Sequence, residues 1–345
     1  MATNSNPFTV SILEATVLMQ AAGALAPGES TTTIGGTDGT VGLTDDALHS
    51  IQWMNRFHYD HSHGTAHLIG KDASSTGGER TNNVYDAGSN AWTTSGAFHI
   101  GGSPETGHVY ESFAFDPVAR TVYTGRWNQG DIQSWTSGDA LTDWSVATTA
   151  PWVFSMTNGV QPVLLWHPTL FGSGEGGLLA YRLTSSGVDI VAWQKSTDTW
   201  STLVTSENGS THGAMEYVRS GDYAICTVAT GSTFRIGAGS GGMVADPVEI
   251  ENPPIPCRHA GGSTNVGILI DDPSGSAGPY ILEKAGSNRV WRYQGGAWVL
   301  HPFTHPFPAG SASSNTNWCV ASLHPTGAFW CLKNTAGSRL WRPDA

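Results

Sequence analysis

Charge is scarce in this sequence. Only 13% of its 345 residues are charged, lysine occurs four times, and the formal net charge is −12. Nucleic-acid binding rests on neutralising phosphates with Lys and Arg, so the composition speaks against a nucleic-acid partner. Anionic membrane surfaces are disfavoured for the same reason. Low charge with 14 tryptophans also excludes a disordered chain, which would show high charge and few aromatics. Long apolar runs are missing as well. The richest stretch, residues 10–25, is interrupted by Glu14 and Gln20 and is short for a bilayer span, so no membrane insertion is expected. Residues 1–8 carry no basic side chain, and no secretion signal is expected. Four cysteines do not make a disulfide framework at this length. Cys319 and Cys331 flank a hairpin and could face each other, Cys226 and Cys257 show no relation, and burial as thiols is the expectation for all of them. No Gly-x-Ser-x-Gly elbow and no phosphate-cradling loop occurs. No cofactor is expected, and catalysis is expected less than binding.

What is abundant is glycine, 43 residues of it, set with serine and threonine among short apolar runs. That pattern suits an all-β chain with many tight turns. One unit recurs: an apolar strand, Asp-Pro or His-Pro, a tight turn, and a second apolar strand. It appears around Asp116-Pro117, His167-Pro168, Asp272-Pro273 and His324-Pro325, with weaker copies around Arg219 and His63. The turn anchors fall at 63, 116, 167, 219, 272 and 324, at spacings of 51 to 53 residues. Asp before Pro accepts a bond from backbone two residues on, and Pro presets φ for a type I turn. His in that slot serves the same turn and is no ligand signal. A third and a fourth strand follow each anchor, marked by Trp92, Trp135, Trp144, Trp193, Trp200, Trp291 and Trp298, with Thr233 and Met243 opening the equivalent pair in the fourth unit. The last unit reaches Trp341 and has no fourth strand after it. Its missing strand is expected from residues 31–43, through Thr31-Thr-Thr-Ile or Thr40-Val-Gly-Leu. The fold class these spacings predict is an all-β, six-bladed β-propeller of four-stranded blades over 31–345, closed on its last blade by an N-terminal strand. Residues 1–30 form an N-terminal arm with a short helix.

The stretch Val84-Tyr-Asp86-Ala-Gly-Ser-Asn-Ala-Trp92 resembles the closing half of a kelch blade, and the period of about 50 residues resembles that family too. The Gly-Gly pair of kelch blades is not repeated here. Ser137-Gly-Asp139-Ala-Leu-Thr-Asp-Trp144 is similar to the Asp-box of sialidases, with Leu141 where that motif has Gly. These resemblances imply a propeller and no particular activity.

In usual propeller geometry the first-to-second strand turns share one face, and the second-to-third and between-blade loops share the other. The second face carries the long segments here, so a binding site is expected there. It gathers His99, His108, Glu111, His212, Glu216, Arg258, His259 and Trp318, either as a ligand-binding funnel or as the lining of a solvated channel. The segment with His58, Asp60, His61 and His63 holds metal-ligand residue types. Strand alternation separates His58 and Asp60 from His61 and His63, so convergence on a metal is not expected. In the arm, Ser11 and Glu14 form a capping-box pattern, and Ile12, Leu13, Val17, Leu18 and Leu25 make an apolar stripe. That stripe either packs on its own propeller or docks on another protein subunit. The functional expectation drawn from these features is a non-enzymatic, structural or receptor-facing component of a phage-like virion, assembled in the host cytoplasm and anchored through its arm. The alternatives are a carbohydrate-binding propeller for host glycans, with Trp291-Arg292 and Trp341-Arg342 as sugar platforms, and a glycan-active or metal-dependent enzyme.

Overall fold

The computed structural model describes residues 17–43, 51, 56–71, 80–95, 112–125, 129–154, 162–206, 213–228, 231–257, 266–284, 287–307, 318–333 and 337–343. Six antiparallel sheets of four strands succeed one another along the chain. A helix, α1 (Val17–Gly23), and a short strand, β1 (Ser30–Thr31), precede them. Blade 1 holds β2 (His58–Asp60), β3 (Thr65–Lys71), β4 (Arg80–Asp86) and β5 (Ala91–Thr94). Blade 2 holds β6 (Phe113–Asp116), β7 (Thr121–Gly125), β8 (Asp131–Thr136) and β9 (Ser145–Thr149). Blade 3 holds β10 (Leu164–Gly172), β11 (Glu175–Leu183), β12 (Val188–Gln194) and β13 (Thr199–Ser206). Blade 4 holds β14 (Ala214–Val218), β15 (Tyr223–Thr227), β16 (Thr233–Gly237) and β17 (Val248–Ile250). Blade 5 holds β18 (Gly267–Ile270), β19 (Tyr280–Glu283), β20 (Arg289–Gln294) and β21 (Ala297–Thr304). Blade 6 holds β22 (Trp318–Leu323), β23 (Ala328–Lys333) and β24 (Ser338–Trp341), and β1 completes it by pairing with β24.

Closure uses the first of the two expected segments. Ser30 pairs with Trp341 and Thr31 with Leu340. The second segment runs instead along the outer strand of blade 1, where Trp92 N donates to Val41 O at 2.7 Å. One N-terminal stretch therefore ties the last blade to the first.

Both faces of an inner or middle strand are covered by neighbouring blades, which is why these strands read as unbroken apolar runs. In β10, Leu164 faces blade 2 and Leu165 faces blade 4, as the two-residue period of a strand requires. The core is divided accordingly into six clusters, one in each seam between blades. Cys319 lies opposite Leu332 and Cys331 opposite Val320. That offset of one residue sends the two thiols into different seams, and all four cysteines are free and buried. Burial pushes the Cys319 thiol up to about 12, so it packs as an unreactive apolar group.

Four inner hairpins share one turn. Asp60 pairs with Thr65, Asp116 with Thr121, Val218 with Tyr223 and Leu323 with Ala328. The last turn residue is left-handed in each: Gly64 at φ 65°, Arg120 at 53°, Asp222 at 50° and Gly327 at 77°. Asp116 Oδ1 accepts from Val118 N at 3.0 Å and Ala119 N at 3.1 Å, and Asp272 Oδ1 accepts from Ser274 N at 3.0 Å. His167 Nδ1 takes the amide of Thr169 at 3.3 Å, but at a bulge within the strand rather than at a hairpin turn.

Three details differ from the sequence reading. In blade 1 the turn head is Asp60, whose Oδ1 accepts from Ser62 N at 3.0 Å; His63 lies three residues further on. In blade 3 the strand does not turn at His167-Pro168 but bulges and continues to Gly172. In blade 4 the fourth strand is β17, not the segment at Met243, because Ser240 and Met243 close a local bridge that holds that segment in a turn.

The repeating outer tryptophans fasten blades together. Trp92 Nε1 donates to Gly39 O at 3.0 Å, Trp200 Nε1 to Thr148 Oγ1 at 3.2 Å and Trp298 Nε1 to Glu251 O at 3.3 Å. Each partner belongs to the preceding blade or to the closing segment. In the arm, Leu18, Ala22 and Leu25 are buried in the seam between blades 6 and 1, with Val17 packed against them. Gly28 N donates to Arg342 O at 2.8 Å, and Arg342 Nη1 donates to Leu25 O at 3.0 Å. Among the described residues, no helix is long and apolar enough to cross a membrane.

Candidate functional site: the axial cavity

Each blade supplies one residue from near the end of its inner ladder, His61, Pro117, Pro168, Arg219, Asp271 and His324, with Pro168 at the bulge inside β10 and the other five directly after the strand. The first four of these line a cavity of about 120 Å³ on the ring axis. Its walls are the last residues of the inner strands, among them Phe115, Trp166, Tyr217, Ile270 and Ser322. The cavity therefore sits toward the face of the first-to-second strand turns.

Its floor is an ion pair. Arg56 enters from blade 1, is 6% exposed, and pairs through Nη1 with Glu216 Oε2 of blade 4. Blades 1 and 4 stand opposite in a ring of six, so this pair spans the axis. At the mouth, Arg219 Nη1 donates to Asp271 Oδ2 at 2.6 Å, and the Arg219 backbone amide donates to Asp271 Oδ1 at 3.3 Å. Burial raises the Asp271 carboxyl to about 7 even with Arg219 beside it, and the charge of Glu216 adds to the rise. The rings of His61 and His324 meet edge to face at 5.3 Å. Burial lowers His61 to about 4, with the Arg219 charge acting in the same direction. Two arginines, two carboxylates and two neutral imidazoles thus bracket a short aromatic-walled space.

The structure separates the histidine-rich segment. His58 turns into the seam with blade 2, where its Nε2 donates to Phe113 O at 3.3 Å and its ring packs on Phe113. Burial lowers His58 to about 3, so it is neutral. Asp60 and His63 do meet, at 2.8 Å from Oδ2 to Nδ1, because the strand ends at Asp60 and the turn folds His63 back onto it. Alternation had placed them on opposite sides. Among the described residues, no three His, Cys, Asp or Glu side chains gather as a metal would require.

Of the residues expected in a funnel on the long-loop face, Glu216 lies on the axis but at the floor of this cavity. Trp318 is fully buried between blades 5 and 6, with Lys284 Nζ 5.4 Å from its ring centre. His99, His108, Glu111, His212, Arg258 and His259 lie outside the described residues, as do Ile12 and Leu13 of the arm. Trp341 is 2% exposed and Arg342 is bound to the arm, so this pair is no sugar platform. The guanidinium of Arg289 lies 5.7 Å from the Trp291 ring centre, and that of Arg292 lies 5.2 Å from the ring of Tyr280. Arg56, Arg219 and Asp271 were missed as site residues.

Six four-stranded blades around an axis, closed by a strand from the other end of the chain, define a six-bladed β-propeller. Solved structures share this fold. An auxiliary nutrient binding protein from Bacteroides thetaiotaomicron aligns with a TM-score of 0.53 at 12% identity, over 84% of this chain and 69% of its own. One from Bacteroides ovatus aligns at 0.54 and 12%, over 86% and 70%. A calcium-binding regucalcin from Agrobacterium tumefaciens aligns at 0.50 and 11%, over 88% and 98%. At such identities the likeness is one of fold. No family model, kelch included, and no curated protein matches the chain.

Proposed function

We propose that this propeller is a non-enzymatic binding protein whose axial cavity holds one small polar molecule, entering from the face of the tight inner turns. The observation that carries this reading is the lining itself: aromatic walls between two arginine–carboxylate pairs. Ligand pockets combine apolar walls with a few placed polar groups in this way. Size narrows the ligand. A cavity of about 150 Å³ holds benzene, so 120 Å³ suits a molecule of similar bulk and excludes an oligosaccharide within the axis. Propellers of this fold include proteins named for nutrient binding, which supports a binding use. An enzyme reading has less behind it, because Ser322 Oγ has no hydrogen-bond partner and so no base to activate it. The virion reading drew in part on an arm outside the propeller that could anchor the protein. In the described part of the arm, Leu18 and Leu25 are buried in the chain's own ring and Val17 packs against it.

The test is a thermal-shift screen of small hydroxy acids, small amino acids and short polyols. A ligand present at a hundredfold excess over Kd stabilises by about 2.7 kcal/mol, which raises Tm by several degrees. Ser322→Leu fills the cavity without removing a hydrogen bond, and it is expected to abolish the shift while leaving the unliganded Tm near wild type. The reading is lost if no molecule of this size shifts Tm, or if a hit survives Ser322→Leu.

A further inference from the structure

Among the described residues, the charged groups that line the axial cavity are Arg56, Asp60, Glu216 and Arg219, and each meets an opposite charge. Arg56 pairs with Glu216 at the floor, and Arg219 pairs with Asp271 at the mouth. Asp60 accepts from Ser62 N at 3.0 Å and pairs with His63 Nδ1 at 2.8 Å, and Arg120 Nε lies 3.7 Å from its Oδ2. The imidazoles add no charge. Burial lowers His58 to about 3 and His61 to about 4, and it lowers His324 as well. Tyr217 stands in the wall, and its hydroxyl already donates to Asp222 Oδ1 at 2.7 Å.

Ser322 differs from these. It lines the cavity from blade 6, and among the described residues its Oγ has no hydrogen-bond partner. A serine hydroxyl both donates and accepts, and a single side-chain torsion turns it toward a ligand. The surfaces beside it are apolar, from Phe57, Phe115, Trp166 and Ile270. A charged ligand entering this space would shed its water and find every opposite charge taken, which is costly for a buried ion. An uncharged ligand escapes that cost and needs only a partner for its own polar group.

We propose that the axial cavity selects an uncharged molecule, a small alcohol or hydroxy-amide, and that Ser322 hydrogen-bonds its hydroxyl. The proposal rests on the axial binding reading and narrows it. The arginine–carboxylate pairs then act as a neutral, rigid frame that excludes ions, and the aromatic walls hold the carbon skeleton.

The experiment is calorimetric titration of the full chain at pH 8, above the value of about 7 to which burial raises Asp271, so that Arg219 keeps an ionised partner. The probes share one carbon frame and differ in charge: lactamide, lactate, and 1-amino-2-propanol, which is a cation at this pH. Propionamide, which lacks only the hydroxyl of lactamide, is the fourth. Lactamide is expected to bind, with lactate and the aminopropanol at least roughly tenfold weaker. Ser322→Ala should weaken lactamide by about three- to tenfold, the worth of one neutral hydrogen bond, and leave propionamide unchanged. Asp271→Asn leaves Arg219 without its carboxylate and should tighten lactate by roughly tenfold or more over wild type. Three results would overturn the proposal and leave the axial reading standing: a charged probe binding as tightly as lactamide, the same response of lactamide and propionamide to Ser322→Ala, or no gain for lactate in Asp271→Asn. If none of the four binds, the thermal-shift screen decides. An uncharged hit supports the proposal, a hit carrying a charged group overturns it, and no hit at all removes the axial reading with it.

Discussion

Asn90 ends the turn between β4 and β5 in a left-handed conformation, at φ 53°. Its Oδ1 accepts from Tyr85 Oη at 2.7 Å, while its Nδ2 donates to Ile34 O at 2.9 Å and Thr37 Oγ1 at 2.7 Å. One buried amide thus joins blade 1 to the segment that closes blade 6. Asn90→Ala removes these bonds, strands the Tyr85 hydroxyl, and places a Cβ residue without a local hydrogen bond at positive φ. The expected loss is about 3–4 kcal/mol by urea denaturation, since each stranded buried group costs about 1–3 kcal/mol and the conformation adds about 1 kcal/mol. Asn90→Gly should cost less by that last amount; equal costs would mean the backbone is unstrained. The kelch-like stretch around Trp92 made this turn legible in the sequence. Its partners were not, since Ile34 and Thr37 belong to a segment more than fifty residues away with no motif of its own.

At the scale of elements, the long hairpin of blade 3 is the feature that breaks the ring's regularity. Beyond the bulge at His167, residues 168–172 reach over the turn that follows β16. Gly239 N donates to Thr169 O at 2.9 Å and Gly242 N to Phe171 O at 3.0 Å. A Cβ at Gly239 would fall 2.2 Å from both Leu170 O and Met243 O, which are backbone atoms with nowhere to go. Gly239→Ala should therefore destabilise by about 2 kcal/mol or more, in the range of forced overpacking. Gly241→Ala is the matched control: it meets nothing within 4 Å and carries only the strain of φ 62°, worth about 1 kcal/mol. If the two variants melt together, the hairpin contact is not holding blade 4. The strands themselves were readable, because each is an apolar run bounded by turn residues. What was not readable is where a run stops when an adjacent blade supplies new hydrogen bonds. His167-Pro168 looks like a turn and becomes a bulge, and Met243 looks like a strand and becomes a turn.

For the whole molecule, the ring count was legible because each repeat must bury the same two faces, and a fixed period follows. The axial cavity was not, because its members come one per blade and differ in chemistry from blade to blade. The same seams set the response to pH. Burial lowers His58 and His67 to about 3, and His61, His167 and His305 to about 4. These rings stay neutral in the fold, whereas in the unfolded chain they take a proton near 6.5. Their contribution is present above pH 6.5 and is lost as pH falls toward 4. Asp271, raised to about 7, works in the opposite sense, because the folded form holds its proton below that pH. Five histidines outweigh one aspartate, so unfolding at pH 5 should take up about four protons. Tm is expected to fall steeply from pH 7 to pH 5, and a flat Tm over that interval would contradict the burial of these histidines.

The pairing of β1 with β24 also bears on how the chain comes off the ribosome. Blade 6 draws one strand from residues 30–31 and its neighbour from residues 338–341, so the ring stays open until residue 341 has emerged. Through that interval Phe57, Trp92 and Tyr280 lie on seams whose covering blade does not yet exist. Translation speed and chaperone access during this window govern how much polypeptide escapes aggregation, whatever the stability of the finished ring.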